Sequence, residues 1–149
     1  MKWMRFSGLV LLVLAFLIGP VRAQDARLAQ QALRCSALLH MLAQAVLGGA
    51  EQTSRWHRAS DAMAEVQRKA WGSAVPPSEA RDDMLKQLQT ARDRQEPTLI
   101  EEVVVCGAWA EGFLGQGDSW QYVPVYPKVI APAVRSRYTD VARGWLAPR

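Results

Sequence analysis

The chain has few of the residues from which catalytic and metal centres are usually built. It contains only two histidines and two cysteines among 149 residues. It has no Cys-x-x-Cys redox pair, no Cys-x-x-Cys-His haem attachment and no zinc motif, and no Ser-His-Asp arrangement is recognisable. Gly115 and Gly117 are better interpreted as a helix end than as a phosphate-binding loop. These absences predict a protein that is not an enzyme and has no cofactor.

The chain that should remain after removal of its N-terminal segment also lacks a surplus of positive charge. The whole sequence has 18 basic and 14 acidic residues. Lys2, Arg5 and Arg22 lie in a predicted removable segment, so the remainder has 15 basic and 14 acidic residues. A nucleic-acid binder needs a clustered basic face, and only short pairs such as Arg92 with Arg94 are present. We therefore expect no nucleic-acid partner.

The N-terminal segment has the three-part pattern of a secretory signal peptide. Two basic residues precede an apolar run over residues 8–19, and small side chains end the segment at Ala23. The run is shorter than the about 20 residues of a membrane-spanning helix, although an uncleaved anchor remains the alternative. The sequence predicts a signal peptide over residues 1–23 and one domain over residues 24–149. That domain would be periplasmic or secreted, with no stable membrane insertion after cleavage.

The predicted mature chain carries the apolar spacing of an all-α domain. Apolar residues recur at intervals of three and four, which keeps them on one helical face. Glycines and prolines separate the segments. The fourth segment contains three consecutive valines, which favour strands, but Thr98 and Glu101 fit a capping box and the helical period continues. We predict a five-helix bundle, up-down or orthogonal, with helices over residues 25–47, 53–71, 78–94, 98–114 and 130–145.

The two cysteines occupy the middle of the apolar stripes on the first and fourth predicted helices. Two cysteines in an exported chain favour one disulfide. If the stripes face each other, a bond between Cys35 and Cys106 joins these helices inside the core. A buried pair of free thiols is the alternative, and a redox or nucleophilic cysteine is a further one.

An irregular segment of aromatic and proline residues, 118–128, precedes the last predicted helix. Trp120, Tyr122 and Tyr126 are separated by even numbers of residues, so an extended chain could direct all three to one side. Tyrosine and tryptophan provide large contact areas at little entropic cost. The segment is therefore either a strap packed over the bundle or a contact surface for a partner or a glycan.

A short stretch of the fourth helix adds weight to the partner hypothesis. Residues 106–112 read CGAWAEG, which resembles the Cys-x-x-aromatic-x-x-Gly stretch of small periplasmic immunity proteins that are paired with secreted toxins. The resemblance covers seven residues, and the further cysteines of such proteins are missing. It implies an inhibitory or immunity-type protein whose partner is another envelope or secreted protein.

Two other functions stay open at this stage. A carrier of haem, copper or an amphipathic molecule could use His40 and nearby methionines, since soft ligands bind copper, but methionine also fills cores and His40 also fits a half-buried structural position. His57 is expected to be exposed. An enzyme acting on peptidoglycan could use Glu111 as one of two carboxylates. The leading prediction is an exported binding protein that uses Trp120, Tyr122 and Tyr126.

Overall fold

The computed structural model describes residues 7–45, 49–71, 78–114, 127 and 129–148. These residues form five α-helices and no strand, which confirms the predicted all-α class. None of the helices among them is long and apolar enough to cross a bilayer. The helices are α1 (Ser7–Gln44), α2 (Gly49–Trp71), α3 (Ser78–Asp93), α4 (Thr98–Leu114) and α5 (Pro132–Leu146).

The first two helices differ most from their predicted bounds, whereas α3 ends one residue early and α5 begins two residues late and ends one residue late. The backbone of α1 is already helical at Ser7 and continues through the predicted signal segment, whose cleavage after Ala23 stays a prediction. The helix ends at Gln44, three residues early, and α2 begins at Gly49 rather than Thr53. Ala, Glu and Gln follow Gly49, and all three favour helix, so the chain re-enters a helix sooner than the apolar stripe alone indicates.

The helices α1 and α2 form an antiparallel hairpin with a polar link inside its interface. The hydroxyl of Ser36 donates to the carbonyl oxygen of Ser60 at 3.0 Å, and the hydroxyl of Ser60 donates to the carbonyl oxygen of Ser36 at 2.8 Å. Both side chains are buried. Buried polar groups need a hydrogen-bond partner. Each hydroxyl has one in the opposite helix, so neither needs water.

The helix α4 contributes a buried apolar face to the bundle. Val103, Val104 and Val105 are buried and helical, so tertiary packing overrides their preference for strands. On the same helix, Cys106 forms a disulfide with Cys35 of α1, with the two Cα atoms 5.1 Å apart. The predicted staple between the first and fourth helices is confirmed.

The turn from α3 into α4 is closed by backbone hydrogen bonds. The amide of Glu96 donates to the carbonyl of Ala91, and the amide of Gln95 donates to that of Arg92. Gln95 has a φ of +51°, the left-handed conformation that this type of helix end needs. Its side-chain amide donates to the carbonyl oxygen of Leu146, at the end of α5, which ties the last helix to this turn.

The helices α4 and α5 approach closely where α4 has a glycine. A Cβ atom built on Gly107 would lie 2.3 Å from Cε1 of Tyr138, closer than packed atoms allow. The ring of Tyr138 is buried in this space and packs against Trp56 of α2, with ring centroids 5.7 Å apart. Gly107 thus allows one aromatic ring to join three helices.

Candidate functional site

Three helices meet at Glu111, one turn before α4 ends. One carboxylate oxygen accepts a hydrogen bond from Arg55 of α2 at 2.6 Å, and the other accepts one from Arg137 of α5 at 2.9 Å. The carboxylate is mostly covered, with 22% of the side chain exposed. Charge-assisted hydrogen bonds of this kind are stronger than neutral ones. Glu111 therefore links α2, α4 and α5 through both of its oxygens.

The phenol of Tyr138 belongs to the same cluster. Burial raises the pKa of Tyr138 above its ordinary value, and a hydrogen bond to Glu111 raises it further. Arg55 and Arg137 act in the opposite direction, because a cation favours the phenolate. Burial dominates, so Tyr138 stays a neutral hydrogen-bond donor to Glu111 over the physiological pH range.

The other two glutamates of α4 are engaged in the same way by different helices. Both oxygens of Glu102 accept hydrogen bonds from Arg34 of α1, at 2.6 and 3.0 Å. Both oxygens of Glu101 accept from Arg135 of α5, at 2.6 and 3.1 Å. Glu101 was expected to cap the start of α4. In the structure its side chain is instead paired with α5. Fork-like pairs of arginine and carboxylate fix orientation as well as distance.

This arrangement gives Glu111 a structural role that the sequence did not predict. In the sequence it was considered only as one of two carboxylates of an enzyme acting on peptidoglycan. In the structure its nearest charged partners are two arginines, and no second carboxylate is recorded against it among the described residues. The geometry is that of an ionic connection between helices.

The aromatic segment itself lies outside the described residues, so Trp120, Tyr122 and Tyr126 have no described position. Its surroundings are described. The Glu111 cluster lies near the end of α4, where the chain enters the segment, and Val129 follows the segment. Val129 is 90% exposed, and it is the one exposed large apolar side chain found among the residues whose burial is described.

The stretch that resembles immunity proteins serves mainly packing. Cys106 carries the disulfide, Gly107 accommodates the ring of Tyr138, and Trp109 is buried. Glu111 forms the ionic connection described above. Each of these residues therefore has a structural explanation within this bundle.

The methionines that were considered as copper ligands lie mostly in the core. Met63 is fully buried, and Met41 is nearly so. Met84 is half-buried, and its sulfur accepts a hydrogen bond from Arg34 at 3.6 Å. Within the described ranges, no group of three or more histidine, cysteine, aspartate or glutamate side chains could hold a metal ion. Met63 and Met41 thus belong to the buried core, which is one of the two roles that the sequence left open for methionine.

The two histidines form a pair that the sequence analysis missed. His40 of α1 and His57 of α2 have ring centroids 6.2 Å apart and an angle of 67° between their planes. His40 is half-buried and His57 is exposed, as expected for each alone. Burial lowers the pKa of His40, and the nearby charges of Arg81 and His57 lower it further, while Asp61 raises it.

A shallow groove adjoins this pair. It lies between the end of α1 and α3, has a volume of about 280 Å³ and is lined by His40, Met41, Gln44, Leu85, Lys86 and Gln89. Its size is below that of a typical drug-sized pocket.

No family model, curated protein or solved structure was found to match this chain.

Proposed function

We propose that this chain is an exported, non-enzymatic binding protein. It engages another envelope or secreted protein through residues 118–128 and the adjacent Val129. Export is supported by the signal pattern of residues 1–23. It is supported further by the disulfide between Cys35 and Cys106, because disulfides persist in oxidising compartments.

The exposed side chain of Val129 is the observation that carries the proposal. Among the residues whose burial is described, other large apolar side chains are buried or half-buried, whereas Val129 is 90% exposed. A single exposed valine is ordinary. This one, however, directly follows a segment that contains Trp120, Tyr122 and Tyr126. Aromatic and aliphatic side chains grouped in this way suit the centre of a protein interface.

The ionic cluster at Glu111 would hold in place the two helices that flank this segment. Arg55 and Arg137 hold the last turn of α4, and Tyr138 holds the early part of α5 against it. A segment that leaves α4 and returns to α5 has both of its attachment points on this fixed base. Fixing the ends of a binding segment lowers the ordering cost of association.

The interaction is tested by capture from envelope extract on immobilised full-length protein. Wild type should retain a specific partner, and the double substitution Trp120→Ala with Tyr122→Ala should lose it. Truncating two central aromatic contacts should weaken the affinity of the purified partner by at least about 100-fold. The matched control is Gln87→Ala with Arg94→Ala, an exposed position of α3 and an exposed position in the turn that follows it, which should bind as wild type does.

Circular dichroism must show equal helix content for all three proteins, so that lost capture reflects lost contact. Val129→Ser should weaken binding without abolishing it, because it removes one apolar contact at the edge of the surface. If the aromatic double variant captures the partner as strongly as wild type, the proposed surface is wrong.

Export is tested separately, on the protein expressed in its own cells. The mass of the recovered chain should correspond to a start at Gln24, and the protein should appear in the fraction released by outer-membrane permeabilisation. A full-length mass in the cytoplasmic fraction would contradict export while leaving the binding experiment unaffected.

A further inference from the structure

The two histidines are brought together by the α1–α2 hairpin, and their rings are not stacked. His40 and His57 lie on adjacent helices with ring centroids 6.2 Å apart and ring planes 67° from parallel. One turn deeper in the same interface, Ser36 and Ser60 satisfy each other through hydrogen bonds. The histidines make no such bond: among the described residues their recorded contact is with each other's ring.

This separation is close to that of two imidazoles that share one metal ion. A zinc–nitrogen bond of about 2.0–2.1 Å places each ring centroid about 3 Å from the metal, so two coordinating rings have centroids about 5–6 Å apart. The observed 6.2 Å is slightly longer. Small rotations of two side chains, one of them exposed, would close the difference without moving either helix.

We propose that His40 and His57 form a two-histidine site for a divalent transition-metal ion, of the Cu²⁺ or Zn²⁺ type. Imidazole nitrogen is a preferred ligand of both ions. Because His57 is exposed and His40 is half-buried, water has access to the remaining coordination positions. The site thus has two protein ligands and an open side, in keeping with the absence of any three-residue cluster among the described residues.

The surrounding charges set the strength of the site. Asp61 lies one helical turn after His57, and its negative charge acts at His40. Arg81 of α3 acts there with the opposite sign. A cation bound between the histidines is therefore attracted by one neighbour and repelled by the other. We expect an affinity below that of a three-ligand centre, and an increase in affinity when Arg81 is neutralised.

The test is a titration of the purified protein with Cu²⁺ alone, followed by calorimetry and by electron paramagnetic resonance. Wild type should bind one Cu²⁺ ion with two imidazole nitrogens resolved in the spectrum. His40→Ala and His57→Ala should each weaken binding at least about 10-fold. Arg58→Lys, which changes an exposed neighbour but keeps its charge and both histidines, is the matched control and should bind as wild type does. Arg81→Ala should bind more tightly.

The Tm measured with and without Zn²⁺ distinguishes a metal ion held by both helices from ions bound at unrelated surface side chains. Zn²⁺ should raise the Tm of wild type, because an ion held by two helices binds the folded chain in preference to the unfolded chain. Neither single histidine variant should show the rise. The site does not exist if the double variant His40→Ala with His57→Ala binds Cu²⁺ as tightly as wild type. An unchanged affinity after loss of either histidine alone would equally rule out shared coordination.

Discussion

Removing the disulfide should lower the free energy of unfolding by about 4 kcal/mol. The bond joins Cys35 and Cys106, which are 71 positions apart. For an unfolded loop of this size, the chain-entropy model gives about 4 kcal/mol at 25 °C. Small domains are stable by only about 5–15 kcal/mol in total. The double substitution Cys35→Ala with Cys106→Ala should therefore leave a folded but much weaker domain.

Urea denaturation followed by circular dichroism measures this loss. The midpoint should fall, and the dependence of the free energy on urea should steepen, because an unfolded chain without the cross-link exposes more surface. Wild type with its disulfide reduced is the control, since it keeps both sulfur atoms in the core. The reduced protein and the double variant should agree within about 2 kcal/mol, because the variant removes two small buried groups at about 1 kcal/mol each.

Equal midpoints for oxidised wild type and the double variant would refute this reasoning. In that case the unfolded chain would have to keep residues 35 and 106 close together without the bond. A large difference between reduced wild type and the double variant would show instead that packing of the sulfur atoms, rather than the cross-link, provides the stability.

Three further substitutions test the helix contacts, each by equilibrium denaturation. Gly107→Ala should cost about 1–3 kcal/mol, because the new methyl group overlaps the ring of Tyr138; an unchanged midpoint would argue against the close approach. Ser60→Ala should cost about 1 kcal/mol through the hydrogen bond lost to Ser36, whereas a neutral result would mean that the link is not formed. Tyr138→Phe removes a phenol whose pKa is raised in the folded state. Below about pH 10 both states of wild type keep the proton; above it only the unfolded state releases the proton, so the stability advantage of wild type over Tyr138→Phe should shrink as the pH rises. A constant difference up to pH 11.5 would contradict the raised pKa.

The helices and the disulfide could be predicted because they follow from local patterns. An apolar stripe records which face of a helix is buried, and the cysteines at positions 35 and 106 lie within two such stripes. The ends were less accurate. Residues 50–52 have no apolar stripe, yet they favour helix, so α2 begins at Gly49, ahead of the predicted Thr53. Apolar periodicity identifies the buried part of a helix, so it does not reveal a helix start whose residues are exposed to solvent.

The cluster at Glu111 could not be predicted from the same patterns. Arg55 and Arg137 are 56 and 26 positions away from Glu111 in the chain, and the spacing of residues on one helix does not reveal which helices adjoin it. The histidine pair is different. His40 lies nine residues before Gly49, and His57 lies eight residues after it. Counting outward from the turn of an antiparallel hairpin would have placed the two side by side.

The hairpin of α1 and α2 has a consequence for the order in which the chain assembles. Its serine link closes a loop of 24 positions, whereas the contacts that attach α4 to α1 and α2 close loops of 68 and 56 positions. The entropy lost on closing a loop increases with its length, and local contacts form sooner. The hairpin should therefore form early and provide the surface on which α4 docks.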